Sequence, residues 1–273
     1  MSGQANTGNA VVETIKTIVY ALLIAGVFRT IFFQPFWIPS GSMKETLLIG
    51  DFVFVNKMAY GYSYASCPSI PFVGIDAADL CGWMRSGNTR ILGSEPKRGD
   101  VVVFRHPVTG DDFIKRLVGL PGDRIQVTDG VLIINGTPVE LKEDGTFKEV
   151  FERQGPQGST PACANGVVGF GAICEKHRLI ETLPGGVTHK ILDVGNLPLD
   201  NTGVYLVPEG HFFFMGDNRD NSTDSRVKQP SGVGFVPFEN LIGRADRVIF
   251  SSAGRSMLYF WTWRGDRFFK AIE

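Results

Sequence analysis

From Ile18 to Phe28 the chain reads Ile-Val-Tyr-Ala-Leu-Leu-Ile-Ala-Gly-Val-Phe, an apolar run without a charge, and Ile31-Phe32-Phe33 extends it past Arg29 and Thr30. Such a run must hide its surface from water, in a core helix, a cleavable signal or a bilayer. The stretch from Ile15 to Phe33 approaches the ~20 residues that span a bilayer. No small-x-small cleavage site follows it; bulky Phe-Phe-Gln-Pro-Phe-Trp does. A helix apolar all round suits lipid better than the single buried face of a core helix. Lys16 and Arg29 are placed to snorkel to headgroups and Trp37 to sit at the interface. We therefore expect a polar tail over residues 1–14 and a transmembrane anchor over 15–34, with the rest of the chain, 35–273, outside the bilayer. Lys16 is opposed by Glu13, so charge alone does not orient the anchor.

Beyond Pro35 the pattern changes to short β-type runs punctuated by turn residues. Asp51–Lys57, Asp100–Arg105, Arg124–Thr128, Val131–Ile134 and His211–Met215 read as strands. Asp129-Gly130 reads as a two-residue hairpin turn, and Asn135-Gly136 offers a second. The 33 Gly and 15 Pro fit a turn-rich chain, and few stretches show a helical period. The expected fold class is mainly β, built of antiparallel sheet, with the N-terminal helix as the exception. A formal net charge of -1 gives no electrostatic reason to expect a nucleic-acid partner. Residues 60–95 and 140–200 look like excursions from the sheet and hold all four cysteines. Cys67 with Cys81 and Cys163 with Cys174 are spaced for two local disulfides; the alternative is four free thiols in a reducing compartment.

Familiar catalytic and metal motifs are missing: there is no His-Glu-x-x-His, Gly-x-Ser-x-Gly, Walker loop or Cys-x-x-Cys, and the four histidines are scattered. Three segments stand out instead. Pro39-Ser40-Gly41-Ser42-Met43 places two hydroxyls around a glycine directly after the apolar run. Asp112-Phe113-Ile114-Lys115-Arg116 sets a lysine among apolar neighbours. Gly216 to Arg226 is nearly all polar after Phe212-Phe213-Phe214-Met215; it lacks EF-hand spacing, and its arginines oppose a cation.

In this order the segments resemble the type I signal peptidases, a family of Ser/Lys endopeptidases. Pro39–Met43 with Thr46-Leu47 and Gly50-Asp51 is similar to that family's serine box. Lys97–Phe104, and Ile114-Lys115-Arg116 with Gly119-Leu120-Pro121-Gly122-Asp123, are similar to its lysine boxes. Gly216-Asp217-Asn218-Arg219-Asp220-Asn221-Ser222, with Asp224-Ser225-Arg226, is similar to its last box, and Gly234–Pro237 and Gly243–Ala245 follow.

The resemblance implies Ser42 as nucleophile and Lys115 as general base, Ser40 as an oxyanion-hole hydroxyl with the Ser42 N–H, and Ser222 as the group that orients the lysine. It implies a supporting ion pair between Asp224 and Arg226. Ile38, Pro39, Met43, Leu47, Phe113 and Ile114 would line shallow apolar pockets for the Ala-x-Ala end of a signal peptide. Phe113 stands where some members have tyrosine, which puts any hydrogen bond from that hydroxyl in doubt but not the apolar wall. The implied partners are exported preproteins and membrane lipid, with no nucleic acid, metal or cofactor. The implied location is the bacterial inner membrane, single-pass, with the 1–14 tail in the cytoplasm, an all-β catalytic domain on the periplasmic face and an inserted β-region over roughly 125–204. Two other readings remain open at this point: a specialised Ser/Lys peptidase serving one secretion or conjugation component, and a non-catalytic, membrane-tethered envelope binding domain. The aromatic and basic segment Met257–Arg264 suits either a membrane surface or a core element.

Overall fold

The computed structural model describes residues 7–67, 81–84, 90–254 and 257–272, with the side chains of 7–9 and 27–31 left aside. Helix α1 (Thr7–Ile31) opens the chain and carries exposed Val11, Ile15, Ile18, Leu22, Leu23 and Ile24. It ends before Pro35, which has no N–H to donate and whose ring pushes the preceding residue out of the helical region. Phe33 and Gln34, expected inside the anchor, belong to the first strand instead. Among the described residues no helix is long and apolar enough to cross a membrane. The start of α1 carries Glu13, Thr14, Lys16 and Thr17, and residues 27–31 of the expected span lie outside the described side chains.

The strands follow in chain order as β1 (Phe33–Trp37), β2 (Asp51–Asn56), β3 (Val101–Arg105), β4 (Asp112–Gly119), β5 (Arg124–Thr128), β6 (Val131–Ile134) and β7 (Thr137–Pro138). Then come β8 (Glu140–Val150), β9 (Ile173–Thr182), β10 (Thr188–Asp193), β11 (Tyr205–Leu206), β12 (His211–Met215), β13 (Val236–Pro237) and β14 (Leu241–Ser251). Among the described residues they form three sheets, ordered β1-β2-β14-β3-β4-β12-β13, β10-β9-β8 and β11-β5-β6-β7. The fold is therefore mainly β, with antiparallel pairing throughout the named strands.

Alternation explains which side chains enter the core. In β2, Val53 and Val55 are buried while Phe54 between them is exposed, the period of two that a pleated strand imposes. β3 lies between β14 and β4, and Val101 to Phe104 are buried on both faces. Asp129 (φ 47°) and Gly130 (φ 76°) make the expected hairpin turn between β5 and β6, with the left-handed backbone that turn requires. Where β4 leaves for β5, a Cβ on Gly119 would stand 2.8 Å from Phe213 Cβ and 2.9 Å from Ile125, so only glycine lets the two sheets close there.

Both expected cysteine pairs are bonded, Cys67 to Cys81 with Cα atoms 6.4 Å apart and Cys163 to Cys174 at 5.2 Å. Within Met257–Arg264 the aromatic side chains are mostly exposed, and Trp263 reaches back to the sheet. Trp263 and Phe268 pack on Phe250 of β14, with ring centroids at 5.1 and 5.2 Å, whereas Leu258, Phe260 and Trp261 stay exposed.

Candidate active site

Ser42 sits in the turn between β1 and β2, and Lys115 on β4, a central strand of the large sheet. Lys115 Nζ lies 2.8 Å from Ser42 Oγ, with Ile114 O accepting from the amine at 3.0 Å. Both side chains are nearly sealed from solvent, at 7% and 4% residue exposure. Burial lowers the Lys115 pKa from 10.5 to about 8, and the carboxylates of Asp224 and Asp217 resist that fall. The Phe113 ring centroid is 5.5 Å from the same nitrogen. Phe113 and Lys115 are two apart on one strand and so share a face.

Ser40 Oγ is 3.4 Å from Ser42 Oγ. Ser222 is buried in the same cleft, and its hydroxyl makes no hydrogen bond to Lys115. A Cβ on Gly216 would lie 2.3 Å from Ser222 Oγ and 2.6 Å from Ser42 O, so a glycine at 216 is what allows these two serines to close on one another. Asp224 holds Arg226 at 2.9 Å, and its second oxygen accepts the Gly216 N–H at 3.1 Å. Burial works against the Asp224 charge, but Arg226 holds the carboxyl below its usual range.

The cleft holding Ser40, Ser42, Lys115 and Ser222 has a volume of about 670 Å³. Of the six expected pocket residues, Pro39 and Phe113 line it. Ile38, Met43 and Leu47 are fully buried in one apolar cluster, with Ile114 packed against it. The separation of Phe113 from Ile114 follows from the pleat, which sends consecutive strand residues to opposite faces.

Other residues that shape the site drew no role from the sequence. Arg116 spans Asp217 with two hydrogen bonds of 2.8 Å, and Thr46 Oγ1 caps the same carboxylate at 2.5 Å, tying the serine turn to β4 and the 216–226 loop. His106 lines the cleft, yet its Nδ1 accepts the N–H groups of Val108 and Thr109, which leaves Nε2–H to donate to Gly232 O at 3.1 Å. Glu181, on β9, bonds Arg219 through both oxygens and lies 3.2 Å from His189. Only the position of Arg116 and Asp217 inside the boxes could have flagged them; His106, Glu181 and His189 carry no such signal. Among the described residues, one carboxylate group could attract a cation: Asp193, Asp200 and Asp220 converge within 4.8 Å. Burial, helped by Asp193, pushes Asp220 up to about 6, and Arg219 and Arg226 line the adjoining cavity.

The family described as signal peptidase, peptidase S26, matches residues 11–250. The signal peptidase I of Rickettsia typhi is 38% identical over 254 residues, 90% of this chain and 83% of its own. That of Rickettsia prowazekii is 38% identical over 255 residues, with the same shares. A solved signal peptidase I from Enterococcus faecalis aligns at 24% identity and a TM-score of 0.29, over 55% of this chain and 97% of that one. Matched by the family over most of its length and by relatives well above 30% identity, the chain belongs to the signal peptidases of family S26 and is a membrane-associated serine peptidase that removes signal peptides from preproteins.

Proposed function

We propose that this peptidase works through a Ser42–Lys115 dyad and cuts exported preproteins after Ala-x-Ala sequences. The observation that carries the reading is the 2.8 Å contact between Ser42 Oγ and a buried amine whose pKa is lowered to about 8. A lysine serves as a base only when neutral, and burial beside Phe113 brings a sizeable neutral fraction within reach of neutral pH. Neutral Lys115 takes the Ser42 proton as Oγ attacks the scissile carbonyl carbon. The Ser42 N–H and Ser40 hydroxyl donate to the resulting oxyanion, and the ammonium returns its proton to the leaving amine. Water, deprotonated by Lys115, then hydrolyses the ester and frees Ser42.

Pro39 and Phe113, which line the cleft, support apolar pockets suited to small side chains, with Phe113 stacked on buried Phe104 behind it. Ser222, buried next to Ser42, is assigned the role of orienting the amine, and the Asp224–Arg226 pair keeps that loop in place. Residues 35–273 form the catalytic domain, with an inserted region over roughly 125–204. The exposed apolar side chains of α1 support attachment of that domain to the periplasmic face of the inner membrane. The test is cleavage of a preprotein in detergent by wild type and by Ser42→Ala. Loss of cleavage in a folded Ser42→Ala is expected; retained cleavage overturns the assignment.

A further inference from the structure

A second buried cluster of charges stands behind the serine turn. Lys44, two residues past Ser42, donates through Nζ to Glu149 Oε2 of β8 and, at 2.6 Å, to Gln154 Oε1. The other oxygen of the same carboxylate lies 3.0 Å from Lys176 Nζ on β9. Lys176 in turn donates to Asn218 Oδ1 at 3.4 Å. Asn218 closes the circuit by donating Nδ2 to Gly41 O at 2.8 Å and its backbone N–H to Ser42 O at 3.0 Å. Two arms thus leave one carboxylate and end on the turn that carries Ser42. Burial works against the Glu149 charge, but Lys176 and Lys44 hold its carboxyl below the usual range. Buried polar networks with their members paired are rigid, because breaking one pair strands a charge in a medium of low dielectric.

The geometry of the peptide between Gly41 and Ser42 converts that rigidity into chemistry. The peptide is trans, so its N–H points opposite to its C=O. Gly41 O is held by Asn218 Nδ2 and by the Lys44 N–H at 3.2 Å, which turns the Ser42 N–H away from Asn218. Among the described residues that N–H has no acceptor. A side chain at position 41 would meet Lys44 Cε at 3.2 Å, so the lysine stem also fills the space behind the turn. Preorganised donors such as this one stabilise an oxyanion because they need not reorient as charge develops.

We propose that Glu149 is a positioning residue for catalysis: through Lys44 on one side and through Lys176 and Asn218 on the other, it sets the plane of the Gly41–Ser42 peptide and aims the Ser42 N–H at the substrate oxyanion. The proposal rests on the Ser42–Lys115 reading above. Glu149 touches no reacting atom and its side chain is 9% exposed, so it acts only through its partners.

The experiment measures kcat and KM for preprotein cleavage across pH in Glu149→Gln and in Lys176→Met, with circular dichroism and thermal denaturation confirming a folded protein. The Gln variant keeps the side-chain shape but loses the charge; the Met variant cuts the Asn218 arm and leaves the Lys44–Glu149 pair complete. Each is expected to lower kcat by about 10- to 100-fold, the scale of a misaimed oxyanion donor, with KM within about twofold of wild type. The midpoint of the acid limb should stay put, since the charges acting on Lys115 are Asp224 and Asp217. If Glu149→Gln does not fold, Lys176→Met alone decides. A kcat within about twofold of wild type, a loss confined to KM, or a moved acid limb in the folded variant overturns the proposal. Activity surviving Ser42→Ala would overturn the underlying dyad as well, and that variant identifies this outcome by itself.

Discussion

Lys115 and Arg116 are neighbours on β4 and both are buried, yet only Arg116 meets a carboxylate directly. The pleat sends them to opposite faces, Arg116 onto Asp217 with two 2.8 Å bonds and Lys115 onto Ser42 Oγ and Ile114 O. One buried cation is compensated by a carboxylate in direct contact. The other has only distant carboxylates, so burial dominates and its pKa falls to about 8. A one-residue shift in strand register would exchange these two roles, so the pairing of β3 with β4, which sets Val102 opposite Lys115, is part of the chemistry.

The first consequence is a pH profile. Only the neutral amine can accept the Ser42 proton, so kcat/KM should rise about tenfold per pH unit in the acid range and level off above about 8. Lys115→Arg should be as inactive as Lys115→Ala, because a guanidinium stays protonated. His106 is the histidine nearest this chemistry in the cleft, and both its ring nitrogens are engaged with backbone groups. Single His→Ala variants should therefore keep the limb. A limb near pH ~6.5, the range of histidine, that disappears in one of them would transfer the base to that residue.

Second, the same burial carries a stability cost. Lowering a lysine from 10.5 to about 8 corresponds to roughly 3 kcal/mol of lost ammonium solvation. The native pKa is depressed, so below about 8 both native and unfolded states hold the proton and the full cost is present. Between about 8 and 10.5 the native state releases it first, and stability rises with pH. Lys115→Met should therefore be inactive yet more stable than wild type at pH 7, by up to about 3 kcal/mol, with the gain fading by pH 10.5. Thermal melts of both proteins across that range check it; equal or lower stability of the variant at pH 7 refutes it.

A third expectation separates buried from exposed ion pairs. Asp217→Asn takes the carboxylate charge away from a contact with two 2.8 Å bonds to Arg116, whose side chain has no exposed surface, and should cost about 3–5 kcal/mol. Asp112→Asn, which breaks the partly exposed Arg105–Asp112 pair, should cost no more than about 1 kcal/mol. Urea unfolding of the two variants makes the comparison, and similar losses would mean that burial does not govern these pairs.

The fold was legible wherever the pleat leaves an apolar signature. β5, β6 and β12 lie where the sequence places them, because each is a short β-branched or aromatic run bounded by turn residues. β8 left no such mark: Glu140–Val150 is rich in charge and mostly exposed, so the alternation that betrays a half-buried strand is absent. The serine and lysine boxes could be read because their residues are contiguous. Glu149 and Lys176 could not, since each is an ordinary charged residue until β8 and β9 bring them behind a turn more than a hundred positions earlier in the chain.

Disulfides supply a fourth test. Cys163 and Cys174 are 11 positions apart, and closing a loop of that size restricts the unfolded chain by about 3 kcal/mol in the chain-entropy model. Peptide mapping of exported protein without reductant should recover Cys67 joined to Cys81 and Cys163 joined to Cys174. The Cys163→Ser/Cys174→Ser variant should unfold at lower denaturant concentration than wild type. Four alkylatable thiols in exported protein would contradict the pairing.

The last prediction concerns substrate shape. Pro39 and Phe113 form the apolar wall beside Ser42, and Phe113 cannot retreat, since it packs on a core cluster that includes fully buried Phe104 and Leu117. A packed core gives way to an inserted side chain only at a cost of about 1–3 kcal/mol or more, so the pocket cannot deepen freely. A preprotein with Ala directly before the cut should fit, and its Ala→Phe version should lose at least about tenfold in kcat/KM, the fold-change that corresponds to ~1.4 kcal/mol. The same change two positions earlier should also slow cleavage, while one at the intervening position, whose side chain an extended peptide directs away from the cleft floor, should have little effect. Trimming the wall with Phe113→Ala should restore part of the lost cleavage of the Phe substrate. Efficient cutting after Phe by wild type would show that these side chains do not bound the pocket.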